Sequence, residues 1–342
     1  MIEATPTLRR SPQREGYGSA NERGIGTDWR KPTTKATKTA VVQPASSVLQ
    51  VRTRMSAPPA LTYTEFHLLF VLPPITLLAL ALAVSDRLDR PRETIAGIAL
   101  LAAIATVYTT PWDNYLIARG VWAYGEGTIS GRLWLAPIEE YAFFVLQPVL
   151  AGLWFGWLGY APNPESPIGY RARLAGAGAW VAVAMSSAWL LATSGGLYLG
   201  AIAVWAAPIA ALQWALGGAV LWRNRRELAL GVAVPTLYLS VVDRIAIGLG
   251  IWRLSPAHTT GLGVGGLPIE EGVFFLVTTT LVVQGLLLFH WVLARARAGG
   301  TAYALAGLIP VGRYREQRGG RGANEPAGSN RASDGIERKR DA

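Results

Sequence analysis

Four glutamates in two identical tetrapeptides are the residues of this sequence best placed to do chemistry. Pro137-Ile138-Glu139-Glu140 returns 131 residues later as Pro268-Ile269-Glu270-Glu271, and Phe143-Phe144 returns as Phe274-Phe275 at the same offset. Each copy opens a long apolar segment, so its carboxyl groups stand where charge is expensive and an ionisable residue is a functional hypothesis by default. Two carboxyl groups held together away from water favour sharing a proton, one acid beside one base. Phe143 lies one helical turn from Glu139 and Glu140, as Phe274 does from Glu270 and Glu271, so aromatic faces can stabilise a cation beside each pair. The plainer alternative is a helix start. Proline suits the first turn, glutamates favour the positive end of the helix dipole, and phenylalanines contact lipid or core. Against it, adjacent residues point roughly 100° apart round a helix, so one acid of each pair faces the core in both copies.

Further candidates flank the motifs. Asp113 and Asp243 end the preceding apolar segment in each copy, and Trp122 and Trp252 follow at matching positions. Asp243-Arg244 reads equally as an interfacial ion pair or as part of the chemistry. Arg119, Arg132 and Arg253 read as interfacial anchors or as counter-charges orienting the glutamates. Gly261, Gly263 and Gly266 satisfy the spacing of a dinucleotide fingerprint, but no strand or βαβ unit surrounds them and a membrane segment follows. They read instead as a flexible loop leading into Pro268. The chain has no cysteine, which excludes disulfides and thiolate chemistry. Its histidines, His67, His258 and His290, are too scattered for a metal site.

The elements that must position these residues are membrane helices. Hydrophobic residues make up 51% of the 342, with 13 Trp, and runs near twenty residues poor in charge read as helices over 64–84, 94–112, 137–158, 174–193, 197–221, 229–250 and 268–292. The first three match the last three, and 174–193 is unmatched. This predicts an all-α integral membrane protein: a first repeat over 61–160, a linking helix within 161–196 and a second repeat over 197–295. One linking helix after an odd number of helices restores direction, so the repeats are parallel and both motifs face one side. Arg87, Arg90, Arg92, Arg171, Arg173, Arg223, Arg225, Arg226 and Arg295 crowd the other side. The positive-inside rule then places the motifs toward the outer leaflet of the cell membrane.

Residues 1–60 and 296–342 read as disordered basic tails that account for the whole net charge of +10. Anionic lipid is the expected contact. Nucleic acid is not, since no fold in the tails presents the basic residues. Arg9-Arg10 lacks the apolar run of an export signal.

At the paired motifs, the trailing Phe-Phe, the two aspartates and the two tryptophans, the sequence resembles the membrane-integral lycopene β-cyclases. That family occurs as two small subunits in some bacteria and as a fused chain in archaea, other bacteria and fungal bifunctional enzymes. The resemblance covers residues 61–295. It implies lycopene and related acyclic carotenoids as substrates, other enzymes of carotenoid biosynthesis as neighbours, and proton-initiated cyclisation that needs no cofactor. Within it, Glu139, Glu140, Glu270 and Glu271 are the expected acids and bases, supported by Phe143, Phe144, Phe274, Phe275, Asp113, Asp243, Trp122 and Trp252. The need for both subunits in split members suggests one site shared between the repeats.

Rival functions fare less well. A retinal protein needs an intramembrane lysine, whereas Lys31, Lys35, Lys38 and Lys339 all lie in the tails. An iron-dependent carotenoid-cleaving enzyme needs several intramembrane histidines. A carotenoid hydratase shares the first protonation and differs in letting water capture the cation. A proton-coupled transporter could use paired glutamates too, but parallel repeats with acids near one interface argue against it. The change in composition just after Met55 marks that residue as the expected start of the native chain. Mass spectrometry of the native N-terminus is therefore expected to find no residue before Met55.

Overall fold

The computed structural model describes residues 61–166 and 169–308. Both expected tails up to residue 60 and beyond 308, and the expected start at Met55, lie outside the described residues. The described residues form seven long helices: α1 (Tyr63–Ala83), α2 (Pro91–Ala118), α3 (Ile138–Trp157), α4 (Tyr170–Leu190), α5 (Leu197–Arg223), α6 (Arg225–Leu249) and α7 (Ile269–Leu308). All but α4 are long and apolar enough to cross a membrane. The 21 residues of α4 include Arg171 and Arg173 and are otherwise rich in Ala, Gly and Ser, so the expected linking helix is the one of the seven that falls short.

Local chemistry sets the helix ends. A capping box between Thr62 and Glu65 starts α1, and Pro91 with Glu93 in the first turn starts α2. Gly250, at φ 74°, ends α6 in the left-handed conformation that suits a residue without Cβ. Pro137 directly precedes the first residue of α3 rather than occupying it, because its backbone is extended in a short strand. Within α1, residues His67–Val71 widen into a π-turn ahead of Pro73 and Pro74, which remove two backbone donors.

Six short strands join the helices: β1 (Trp122–Tyr124), β2 (Arg132–Leu133), β3 (Ala136–Pro137), β4 (Trp252–Leu254), β5 (Gly263–Val264) and β6 (Leu267–Pro268). The hairpins β2–β3 and β5–β6 deliver the chain into α3 and α7. The glycine-rich segment expected to be a flexible loop is thus a tight hairpin, with Gly265 and Gly266 at φ 59° and 83°; Trp134 takes the matching turn position at φ 58°. The strands β1 and β4 pair across the repeats, antiparallel, with Ala123 opposite its own counterpart Arg253. That register maps onto itself when the repeats are exchanged, so a local twofold axis passes through the ribbon and both motif helices begin at its end of the bundle.

The C-terminal boundary differs from expectation. Residues 296–308, expected in a tail, extend α7. Arg297 pairs with Glu93 at 2.6 Å. A break at Gly300 (φ 82°) turns the chain so that the Tyr303 carbonyl accepts from Arg295 at 2.9 Å. Arg173 of α4 caps this end by donating to the carbonyls of Gly307 and Leu308.

Small residues let α4 lie against α5. A Cβ on Gly176 would overlap the Trp214 ring, whereas one on Gly178 would meet open space. Gly176→Leu is therefore expected to destabilise the protein by about 1–3 kcal/mol, read as a lower unfolding temperature in detergent, while Gly178→Leu leaves that temperature unchanged.

Candidate active site

The two glutamates of each motif part company. Glu139 turns back to the preceding loop, where its Oε1 accepts from the Ser130 N–H at 2.8 Å, and it also accepts from the Thr64 hydroxyl of α1 at 2.9 Å. Glu270 does the same, accepting from the N–H and hydroxyl of Thr260 at 2.6 and 2.8 Å. Both are nearly inaccessible to solvent. The first acid of each pair thus ties the crossing loop to the start of its motif helix.

The second acid of each pair faces a cavity at the ribbon end of the bundle. Glu140 and Glu271 line it together with Asp113 of α2 and Asp243 of α6. Each repeat contributes one glutamate and one aspartate, so the cavity belongs to both. Trp122, Trp252, Phe143, Phe144, Phe274 and Phe275 complete much of the wall. Of the residues expected from sequence, all but Glu139 and Glu270 meet at this cavity.

Hydrogen bonds orient the acids. Tyr124 donates to Glu140 Oε1 at 3.0 Å and itself accepts from the Trp122 indole at 2.9 Å. Burial, then the adjacent Glu140, push the Tyr124 phenol above its ordinary range, so it serves as a donor. Tyr198 donates to Glu271 Oε1 at 3.0 Å, and the Trp252 indole to Asp243 Oδ1 at 3.1 Å. The second carboxylate oxygen of each aspartate is buried without a partner. Among the described residues, no arginine pairs with any of the four acids. Arg244, considered as a partner for Asp243, donates to the Gly265 carbonyl; Arg132 lies over the Tyr124 ring and donates to the Leu135 carbonyl. Four carboxyl groups without a counter-cation in one small cavity repel one another when all are charged, which favours sharing protons among them. Among the described residues no cluster of His, Cys, Asp and Glu has the makings of a metal site.

Sequence reasoning missed Tyr63, Tyr198, Tyr124 and Trp112. Tyr63 and Tyr198 are counterparts, as their backbone bonds reveal: the Tyr63 N–H donates to the Thr128 carbonyl, and the Tyr198 N–H to that of His258, 130 residues further on. The tyrosines themselves are 135 residues apart, so the offset of 130 to 131 that aligns the motifs hides the match.

The lycopene cyclase family model matches residues 62–158 and 196–292. The chain belongs to this family. It is 52% identical to a lycopene beta-cyclase of Halobacterium salinarum over 236 residues, 69% of this chain and 99% of that protein. Bifunctional lycopene cyclase/phytoene synthases from Phaeosphaeria nodorum and Pyrenophora tritici-repentis are 34% and 36% identical. Those matches take in 68% of this chain in each case, but only 41% and 42% of the longer fungal proteins. No solved structure matches significantly. With six apolar helices long enough to cross a bilayer, this lycopene cyclase family member is a multi-pass membrane protein.

The division of labour within each motif is open to measurement. Glu139→Ala or Glu270→Ala removes the acceptor that ties the loop to the helix start, at a cost of about 0.5–1.5 kcal/mol. Thermal unfolding in detergent is expected to register that loss, and Glu139→Gln, which keeps an acceptor, to lose less.

Proposed function

We propose that the chain cyclises the acyclic ends of lycopene to β-ionone rings, giving γ-carotene and then β-carotene, in the cell membrane. The observation that supports this most is the placement of four carboxyl groups without a counter-cation in one aromatic cavity built by both repeats, in a chain 52% identical to a lycopene beta-cyclase.

A carboxylic acid of the cavity gives its proton to C2 of the terminal C1–C2 double bond, leaving a cation at C1. The electrons of the C5–C6 double bond attack C1, forming the C1–C6 bond and moving the cation to C5. A carboxylate removes the proton from C6, and those electrons restore the C5–C6 double bond. One proton enters and one leaves, so the step is an isomerisation without net redox change. Glu140 and Glu271 are the groups assigned to these proton transfers, with Asp113 and Asp243 as the reserve among which protons redistribute. The walls of Trp122, Trp252, Phe143 and Phe274 offer ring faces to the cation, and a dry cavity keeps water from capturing it. Glu139 and Glu270 act through position, by fixing where α3 and α7 begin. Related acyclic carotenoids fit the same chemistry, and the bilayer supplies the substrate.

Pigment analysis in lycopene-accumulating cells tests the reading. The unaltered chain is expected to give bicyclic product; hydroxylated acyclic product would instead mark a hydratase, and unchanged lycopene a transporter. Glu140→Gln and Glu271→Gln, each alone, are expected to lower cyclisation by on the order of a hundredfold or more, the usual contribution of an acid or base. Full production by both single variants would overturn the shared site.

A further inference from the structure

The acid cavity holds only the reacting end of a long polyene, so the remainder of the molecule must lie elsewhere. A second cavity adjoins it, sharing Phe143, Phe144 and Phe274 as a common wall. It opens between α2 and α5, which are bridged by side chains: the Tyr108 hydroxyl donates to the Trp205 carbonyl at 2.9 Å and the Trp112 indole to that of Ala201 at 3.1 Å. The rings form a ladder inward. Tyr108 stacks on Trp205 at 5.6 Å, Trp205 on Trp112 at 4.8 Å and Trp112 on Phe274 at 5.8 Å, with planes no more than 26° apart. Flat, stacked faces of this kind match a conjugated chain.

The local twofold axis would place a matching cleft between α1 and α6, where the Tyr238 hydroxyl donates to the Phe70 carbonyl at 2.6 Å. That cleft differs from the first: its cavity shares no lining residue with the acid cavity. Trp154 lines it at the repeat position of Gly285, a residue that does not line the first cavity but packs against Leu101 of its wall, where an added Cβ would fall 2.8 Å away. Val242 likewise replaces Trp112, which breaks the ladder.

We propose that the polyene reaches the acids through the α2–α5 cleft alone, reacting end first, with its tail lying along Tyr108, Trp205 and Leu212. This rests on the cyclase reading above. One mouth serves one end of the substrate, so the half-cyclised molecule leaves the cleft and returns by its other end before the second ring forms.

Leu212 and its counterpart Leu77 are both exposed, at 53% and 67%, on the walls of the open and the closed cleft. Leu212→Trp is expected to lower lycopene consumption about tenfold or more by misplacing the chain, and Leu77→Trp to leave it unchanged, with equal folded yields in detergent. If Leu212→Trp is not recovered folded, Ile104→Trp on the facing wall of the open cleft carries the same expectation. Equal losses in both clefts, or none in the open one, overturn the proposal while an active unaltered chain leaves the cyclase reading standing. In proteoliposomes with lycopene in excess, free monocyclic carotene should accumulate before bicyclic product. Bicyclic product formed with no free monocyclic pool would rule out the single mouth. An unaltered chain that consumes no lycopene defeats the cyclase reading itself.

Discussion

The structure depends on holding four carboxyl groups in an apolar bundle with no cation opposite them. Burial penalises every charge, and like charges in one small cavity penalise each other further. The bundle meets this demand by supplying neutral donors, Tyr124, Tyr198 and the Trp252 indole, each spent on one oxygen. Such donors orient an acid without fixing a charge on it. An arginine in their place would lock the carboxylates as anions and remove the proton that the chemistry needs.

Placing acids so accurately at a membrane helix start requires rigid connections. The hairpins ahead of α3 and α7 provide them, and the first glutamate of each motif ties its own hairpin loop down. On the proposed mechanism the motif is a fastening and a reactive group in adjacent residues. Pairing of β1 with β4 then links the two fastened ends, so that neither repeat can close the cavity alone.

Duplication gives the bundle near-twofold symmetry, and function resides partly in the departures from it. The acids, the flanking phenylalanines and the helix-bridging tyrosines Tyr108 and Tyr238 repeat faithfully. The clefts do not: the α2–α5 cavity shares Phe143, Phe144 and Phe274 with the acid cavity, whereas the α1–α6 cavity shares none of its lining residues. A symmetric long substrate thus meets an asymmetric passage.

Much was legible from the chain alone. Hydropathy marked every long helix, since only helices can satisfy backbone groups in lipid, and the repeated motif with its aspartates, tryptophans and phenylalanines named ten residues of the cavity wall. Local pattern could not say which glutamate of each pair faces the cavity, because both lie within one turn and the choice rests on loop donors at Ser130 and Thr260. Nor could it find Tyr63 and Tyr198, whose spacing departs from that of the motifs. The short strands were missed because two-residue hairpins leave no periodicity, and residues 296–308 because a short Ala- and Gly-rich stretch follows Arg295 and Arg297, while its helix is held by Glu93 pairing with Arg297 and by Arg173 donating to the Leu308 carbonyl. Residue type and spacing determined what chemistry is possible and which helices carry it. Tertiary packing alone decided which acids share a cavity and from which side a substrate reaches them, since both follow from contacts between residues far apart in the chain.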